Sequence, residues 1–410
     1  MKKGQLDSHI LVLVTLGLTA FGLVMVYSAT SAPAALGGGD PVFYLKRESI
    51  YAAIGVVLLL VAMRTDYRAL RYLAPVLVLT SLGLCVAVLA IGQEVNGARR
   101  WLGFGSLSFQ PSEVAKISLA IWAAAYLSRR PAPKTLKELA RPIGITTGLF
   151  AGLILLEPDL GTVIAITIVL GSILVVSGVP LRVLAGGGAI ALGLAMAAIW
   201  FEPYRRARFF SFLDPGHDPQ GAGYQTLQGI MGIGSGGILG TGIGQGVLKN
   251  NYLPEAHTDM IFATIGEELG LVGATLTIAA YVAFAYAGFR VALRCRDPFG
   301  KRLAAGLTTL VSGQALINLA AVLGLAPLTG ITLPFVSYGG TSLVVSLASV
   351  GILLNIAGHG EAARAQVPDR SRRDGRPRAA VARGRGGARR TRTQGDLRRV
   401  AGSRRGAARS

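Results

Sequence analysis

Charged residues are scarce in this sequence. Asp, Glu, Lys and Arg make up 15% of the 410 residues, whereas hydrophobic residues make up 51%; a soluble domain usually carries about a quarter charged residues. The few charges are bunched between apolar stretches, many of which reach the roughly 20 residues that a helix needs to cross a bilayer. This pattern excludes soluble α/β and all-β proteins and predicts an all-α membrane protein.

Cysteine is nearly absent as well, because the chain has only Cys85 and Cys295. Cys85 falls inside an apolar segment, and Cys295 falls in a loop that we expect on the cytoplasmic side. The two thiols should therefore lie at different levels of the membrane, and the sequence predicts no disulfide framework.

About ten apolar segments are predicted to span the membrane: 10–28, 49–63, 73–92, 111–127, 143–156, 163–178, 183–200, 262–289, 304–325 and 343–358. The first is too long for an ordinary signal peptide and is interpreted as a retained helix. Lys and Arg of the short loops favour the side that carries the amino terminus, which predicts that both termini are cytoplasmic. The long segment 201–259 is then a large extracytoplasmic loop between helices 7 and 8.

The carboxyl-terminal residues 359–410 have a different composition from the membrane domain, 1–358. They contain 16 Arg, four acidic residues and almost no large apolar residue. Such a tail cannot bury a core and is expected to be disordered. Binding to anionic lipid headgroups or to an acidic partner is favoured over binding to nucleic acid.

Asp259 follows Pro254 at the point where the long outer loop returns to the membrane. Thr258 or Asp259 could cap the next helix. Alternatively, Asp259 is a partly desolvated carboxylate whose raised pKa suits a general base. Spacing alone leaves both interpretations open.

Other charges lie near the outer face or deeper in the next helix. Glu267 and Glu268 fall roughly 12–14 Å beyond Asp259 along a helix, where charges are either functional or paired, for example with Lys116. Outer cations suit phosphate, although each could equally anchor lipid headgroups. They are Arg99, Arg100, Arg205, Arg206, Arg208 and Lys249.

Glycine-rich residues 232–246 resemble a phosphate-binding dinucleotide loop only superficially. No βαβ unit surrounds them, and the predicted topology places them outside the cell. A close-packed or re-entrant turn is the favoured interpretation.

Six motifs occur in order along residues 10–358: Asn96–Leu102, Gln110–Glu113, Glu157–Thr162, Phe212–Pro215, Leu253–Asp259 and Ser337–Gly340. Together they resemble the SEDS family (shape, elongation, division and sporulation) of peptidoglycan glycosyltransferases. Glu157 before Pro158 and Ala256 before His257 look more like the FtsW branch, active in division, than the RodA branch, active in elongation.

The resemblance implies a lipid II polymerase at the outer face of the cytoplasmic membrane, acting in septal wall synthesis. A sugar hydroxyl of the acceptor would attack the anomeric carbon of the lipid-linked donor, and undecaprenyl pyrophosphate would leave. Asp259 matches the essential aspartate of the family. The residues expected to hold lipid II and its pyrophosphate are Arg99, Arg100, Arg205, Arg206, Arg208, Lys249, His257, Glu113, Lys116, Glu267 and Ser337.

The family also implies a class B penicillin-binding protein, a transpeptidase, as partner, together with other division proteins and membrane lipids. A divalent cation, Mg²⁺ or Mn²⁺, stays open, although no carboxylate cluster with metal-ligand spacing is visible. The alternatives are a RodA-like elongation polymerase and a lipid II flippase. The sequence shows no obvious repeated halves, which disfavours a transporter.

Overall fold

The computed structural model describes residues 3–37, 39–95, 97–104, 107–216, 218–221, 223–249 and 252–365. All elements described below belong to one compact unit that ends at Gln366. Residues 366–410, which make up most of the predicted tail, lie outside the described residues, as does Asn96 of the first motif.

The described chain is mainly helical. Its helices are α1 (Lys3–Leu36), α2 (Phe43–Arg64), α3 (Leu70–Ile91), α4 (Pro111–Ser128), α5 (Leu136–Leu139), α6 (Ile145–Leu156), α7 (Leu160–Val176), α8 (Leu181–Phe201), α9 (Pro203–Leu213), α10 (Tyr224–Ser235), α11 (Ile261–Arg294), α12 (Pro298–Val322) and α13 (Gly340–Ala365). Two short helical turns, Tyr67–Ala69 and Ala140–Gly144, precede α3 and α6.

Several of these helices are suited to a bilayer. Seven segments in the described chain are long and apolar enough to cross it: Gln5–Ser31, Tyr67–Ile91, Leu136–Leu156, Leu181–Phe201, Ile261–Arg294, Pro298–Val322 and Gly340–His359. They confirm the prediction of a helical, multi-pass membrane protein. The other three predicted spans coincide with α2, α4 and the 17-residue α7.

The all-α prediction missed a small antiparallel sheet between α3 and α4. Its strands are β1 (Gln93–Val95), β2 (Ala98–Phe104) and β3 (Leu107–Phe109), in the order β1-β2-β3. Val95 pairs with Ala98, and Gly97 between them has a φ of +74°. An Asn-Gly pair at this place in the sequence is a strong hairpin signal, because both turn residues of a type I′ turn need positive φ.

The predicted outer loop 201–259 also contains two helices, α9 and α10. The glycine-rich segment after α10 packs against α11 where that helix is broken at Gly270, whose φ of +63° and ψ of −161° are open essentially to glycine alone. Loop amides of Thr241 and Gly242 donate to the carbonyls of Glu267 and Glu268, each at 3.0 Å. The loop therefore replaces hydrogen bonds that the break removes from the helix.

The interior is built around α12, which packs against α4, α7 and α11, while α2 packs along α13. Helix α12 is buried over most of its surface, whereas Val183 is the buried residue of α8. In a bilayer the apolar surface of α8 can face lipid, because lipid satisfies apolar side chains as well as a protein core does. The motifs at the starts of α4, α7, α11 and α13 are therefore attached to helices that pack around α12 or next to it.

Candidate active site

A cavity of about 1010 Å³ lies where six segments meet. They are the start of α2, strand β2, the α6–α7 turn, the α8–α9 junction, the chain before α11 and the chain before α13. Five of the predicted site residues line it: Arg100, Arg205, Arg208, His257 and Asp259.

The side chain of Asp259 does not cap α11. The N-cap residue of that helix is Met260, and no side chain of the described residues makes a capping bond there. Asp259 Oδ1 lies 3.4 Å from Thr258 Oγ1, which has a shorter bond, of 2.7 Å, to Glu255 Oε2. The backbone carbonyl of Asp259 accepts from Asn318 Nδ2 at 2.7 Å. Of the two interpretations left open by the sequence, the helix cap is therefore wrong.

Asp259 is held in conditions that favour its neutral form. Only 8% of the residue is exposed. Burial, and then the nearby charge of Glu255, raise the pKa of the carboxyl to about 6, and the positive charge of Arg208 opposes this rise. A carboxylate with a pKa near 6 can accept a proton close to neutral pH.

Asn318 ties two of the cavity segments together from helix α12. Its Nδ2 donates both to the carbonyl of Asp259 and to that of Ile331, at 2.7 and 2.8 Å. The side chain is almost fully buried. The position of Asp259 is thus fixed by its backbone, which leaves the carboxylate available to the cavity.

Three rings form a cluster beside Asp259. The centroid of His257 lies 4.7 Å from that of Tyr44 and 5.6 Å from that of Tyr338, and the two tyrosine centroids are 5.2 Å apart. The amide of Tyr338 donates to the carbonyl of His257 at 2.9 Å. Burial lowers the pKa of His257, so its imidazole is neutral at neutral pH. All three rings line the cavity.

Two cavity arginines are committed to the backbone. Arg100 Nε and Nη2 donate to the carbonyls of Glu157 and Pro158, both at 2.7 Å. Arg205 donates to one carbonyl of α6, at 3.1 Å, and to one of α8, at 3.2 Å. These guanidinium groups hold the α6–α7 turn and the α8–α9 junction in place.

The other outer arginines differ in their access to the cavity. Arg208 lines it and stacks over the ring of Tyr204, 4.8 Å from the centroid. Arg206 is exposed, and Arg99 pairs with Glu94 at 3.5 Å; neither lines the cavity. The sequence could not separate Arg206 from Arg208, since that requires the direction of each side chain on α9.

Lys249 was predicted to hold substrate, but it lies in the protein interior. Its Nζ bonds Glu268 Oε1 at 2.8 Å, and both side chains are almost fully buried. The hydroxyl of Ser28 donates to the same carboxylate at 2.6 and 2.8 Å. A cation that is paired and buried in this way cannot also face the cavity.

Four other predicted site residues also lie outside the cavity lining: Glu113, Lys116, Glu267 and Ser337. Lys116 pairs with Glu113, one turn away on α4, at 2.6 Å. The suggested pairing of Lys116 with Glu267 or Glu268 is therefore wrong. Glu267 accepts the amide of Val247 at 2.7 Å, and Ser337 Oγ accepts the amide of Leu333 at 2.8 Å.

Glu157 is buried beneath the α6–α7 turn. Neither carboxylate oxygen has a hydrogen-bond partner within the described ranges. Burial, and then the neighbouring Asp159, raise the pKa of Glu157 to about 8, so it holds a proton at neutral pH. Asp159 itself caps α7 by accepting the amide of Thr162 at 2.9 Å.

The structure brings Arg47, Glu255 and Tyr44 into the cavity lining, and sequence reasoning had not selected any of them. A signal for Arg47 existed, because it lies at the outer end of a predicted span, where positive charge is unusual. Glu255 was visible four residues before Asp259. Nothing in the sequence distinguishes Tyr44 from the other aromatic residues near the membrane boundary.

Glu255 and Asp259 are the two carboxylates of the chain just before α11. Among the residues that the structure describes, no group of three or more His, Cys, Asp or Glu side chains is arranged to hold a metal ion.

The fold and the cavity define a class: helical membrane proteins with a carboxylate and arginines in a cavity framed by helix ends. Residues 8–362 match the profile of the cell cycle protein family FtsW/RodA/SpoVE. The chain belongs to this family.

Individual relatives agree with this assignment. The chain is 40% identical to a probable peptidoglycan glycosyltransferase FtsW of Geobacter metallireducens over 85% of this chain and 94% of the relative. It is 38% identical to stage V sporulation protein E of Bacillus subtilis over 85% and 96%. Among solved structures, it is similar to a chain in a study of a peptidoglycan synthase complex that coordinates polymerization and crosslinking, with a TM-score of 0.70 and 33% identity over 85% and 97%.

Proposed function

We propose that this protein is an FtsW-like peptidoglycan glycosyltransferase that polymerises lipid II at the outer face of the cytoplasmic membrane. The observation that carries this proposal is Asp259, buried at the wall of a large cavity beside Arg208 and not used as a helix cap. Relatives named as peptidoglycan glycosyltransferases support the same activity.

The geometry suits a displacement at an anomeric carbon. The acceptor hydroxyl forms the new bond to that carbon while its proton passes to Asp259, which acts as the general base. The bond from the anomeric carbon to the pyrophosphate oxygen breaks, and undecaprenyl pyrophosphate leaves with the electron pair. Negative charge that develops on the leaving group is stabilised by a cavity cation, and Arg208 is the one whose charge acts on Asp259.

The decisive experiment is polymerisation of labelled lipid II by the purified protein, with and without its candidate class B penicillin-binding protein. We expect glycan strands, and more of them with the transpeptidase present. Absence of glycan under both conditions, with a folded protein, would refute the proposal. Appearance of lipid II on the opposite leaflet of proteoliposomes without polymerisation would favour a flippase.

The cavity must open to the outer face, because both lipid-linked substrates are used there. We propose a topology with ten spans, cytoplasmic termini and an extracytoplasmic segment 201–259 between the seventh and eighth spans, which puts Asp259 at the outer face. In an otherwise cysteine-free chain, an impermeant maleimide should label Gln220→Cys in intact cells and leave Ala380→Cys unlabelled. The reverse pattern would invert the topology.

The two parts of the chain are assigned different tasks. Residues 1–358 carry the activity, and the basic residues 359–410 bind anionic lipid headgroups or an acidic division partner, not nucleic acid. Deleting 366–410 should leave lipid II polymerisation in detergent unchanged and reduce recruitment of a fluorescent fusion to the septum. Loss of the purified activity would contradict this division of tasks.

A further inference from the structure

The four arginines that line the cavity fall into two kinds. Arg100 and Arg205 donate to backbone carbonyls and therefore serve the fold. The guanidinium groups of Arg47 and Arg208 make no hydrogen bond or ion pair with any residue that the structure describes, and Arg47 Nε is buried without an acceptor. Cations that line a cavity and lack protein acceptors are available to an anionic ligand.

Arg47 and Arg208 are mounted in the same way on different helices. The Arg47 guanidinium lies 5.5 Å from the ring centroid of Phe43, and that of Arg208 lies 4.8 Å from that of Tyr204. In each case the aromatic residue precedes the arginine by four positions, one helical turn, near the start of α2 or α9. Stacking on a ring restrains a guanidinium while leaving its N–H edge free for bidentate bonds to phosphate.

The two free cations act on different parts of the cavity. Arg208 is the arginine whose charge opposes the raised pKa of Asp259. Arg47 instead opposes the raised pKa of Tyr338. Arg208 enters the cavity from α9, whereas Arg47 enters it from the start of α2. Tyr44 on the same turn of α2 packs on Tyr338 of the chain before α13, with ring centroids 5.2 Å apart, so the two cations belong to different walls of the cavity.

The cavity has a volume of about 1010 Å³, as large as sites that enclose a whole drug-sized ligand, roughly 300–1,000 Å³. A pyrophosphate group is much smaller than such a ligand, so the cavity has room for one pyrophosphate group at each cation. Under the proposed function, two lipid-linked pyrophosphates must be present together, one on the donor and one on the acceptor. The donor pyrophosphate adjoins the reacting carbon, whereas that of the acceptor lies a disaccharide away.

We propose that Arg47 binds the pyrophosphate of the acceptor lipid II, at a subsite distinct from the donor subsite served by Arg208. This inference rests on the proposed polymerase function. Arg47 is thus a substrate-positioning cation that acts on acceptor affinity, while Arg208 acts on the leaving group in the transition state.

The chain offers a matched control for each arginine. Lys46 adjoins Arg47, carries the same charge and pairs with Asp40 outside the cavity lining. Arg206 lies two residues before Arg208 on α9 and is exposed. Lys46→Ala and Arg206→Ala therefore remove the same charge from the same turn without touching the cavity.

The test measures initial rates of polymerisation against lipid II concentration, with the full chain and its transpeptidase. Arg47→Ala should raise KM for lipid II at least about tenfold with kcat retained, because a charge-assisted bond to the substrate is lost equally from ground and transition states. Arg208→Ala should lower kcat. Arg47→Lys should recover part of the affinity, since lysine keeps the charge but not the fork. Both controls should match the wild type.

Binding provides a second readout. Native mass spectrometry with undecaprenyl pyrophosphate should give two bound molecules on the wild type and one on Arg47→Ala. An unchanged KM and two bound molecules for Arg47→Ala would overturn the assignment, as would a kcat loss at unchanged KM. If the wild type forms no glycan, the proposed function itself fails. If Arg47→Ala does not fold, the same measurements on Arg47→Lys and Arg47→Gln decide the question.

Discussion

The charged side chains that line the cavity differ from those buried between the helices in whether they have an ion-pair partner. Asp259 and Arg208 face the cavity without an ion-pair partner in the described chain. Lys249 and Glu268 are more deeply buried and bond directly to each other. A partnered interior charge serves the fold, whereas an unpartnered charge at a cavity wall retains its capacity for a ligand or a proton. The following experiments separate these two kinds of charge.

The largest effect should come from Asp259→Asn. The substitution keeps the size of the side chain and removes its capacity to accept a proton, so turnover should fall about 10²–10⁴-fold. Polymerisation of lipid II measures the loss, and thermal stability should stay close to that of the wild type because the side chain does not cap α11. Normal glycan synthesis by a folded Asp259→Asn protein would end the assignment of Asp259 as the base.

Breaking the interior pair should instead affect the fold. Lys249→Met leaves Glu268 as a buried charge without its cation, which should lower the free energy of unfolding by about 3–5 kcal/mol. Thermal unfolding in detergent measures this. The double variant Lys249→Met with Glu268→Met should recover much of the loss. A Lys249→Met protein with normal stability and reduced lipid II binding would return Lys249 to the substrate site.

The pH dependence tests the cavity carboxylate. Asp259 must be ionised to act as a base, and burial raises its pKa to about 6. The rate should therefore fall about tenfold between pH 7 and pH 5. Arg208→Ala should move this fall in rate to higher pH, because the charge of Arg208 favours the ionised form of Asp259. Arg206→Ala should leave the pH dependence unchanged.

The same group contributes to stability with a definite sign. Because the pKa of Asp259 in the fold is above its ordinary value of 3.8, the folded chain binds the proton more tightly than the unfolded chain. This contribution is fully present below pH 3.8 and is lost as the pH rises through about 6. If the loss of rate at low pH came from unfolding, thermal stability would fall over the same pH range. Protonation of Asp259 does not lower stability there, because its raised pKa favours the folded chain at low pH.

Exposed charges should have the smallest effect. Arg99 pairs with Glu94 at the surface, with about half of each side chain exposed. Such pairs contribute about 0–1 kcal/mol, so Arg99→Ala should leave both polymerisation and unfolding nearly unchanged. A large loss of activity would mean that the β1–β2 hairpin contacts the substrate directly.

The sequence predicted the helical class and the order of the long helices, because these depend on apolar length. It also placed Asp259 where the long loop returns to the membrane, and the structure has this residue in the cavity lining; its role as the base stays a prediction. It did not distinguish Lys249 from Arg208. In the sequence both are cations of the predicted outer loop. Only the fold shows that Lys249 bonds to Glu268, nineteen residues away, inside the protein. Pairing across the fold is a three-dimensional property that a single sequence does not contain.

Arg47 was passed over for a related reason. It lies between Lys46 and Glu48 at the start of α2, and its unusual outer charge does not by itself distinguish it from the adjacent Lys46. The strands are three to seven residues long and lie between two long apolar segments, so the Asn-Gly hairpin signal is the one local feature that predicts them. The loop helices α9 and α10 have only 11 and 12 residues. They were not predicted, because helices of this length depend for their stability on packing against the rest of the fold.

The broken helix α11 limits where this chain can be altered by protein engineering. Residues 237–242 complete the hydrogen bonding of α11 around Gly270, so a peptide tag inserted there would open a membrane helix at its weakest point. In the turn near Gly221, the amides of Gly221 and Gly223 donate to the carbonyl of Asp218, three and five residues earlier. Residues 218–221 are exposed, and exposed turns usually accept insertions. The two stretches lie in one predicted outer loop, yet only the turn near Gly221 suits an epitope, a fluorophore or a protease site.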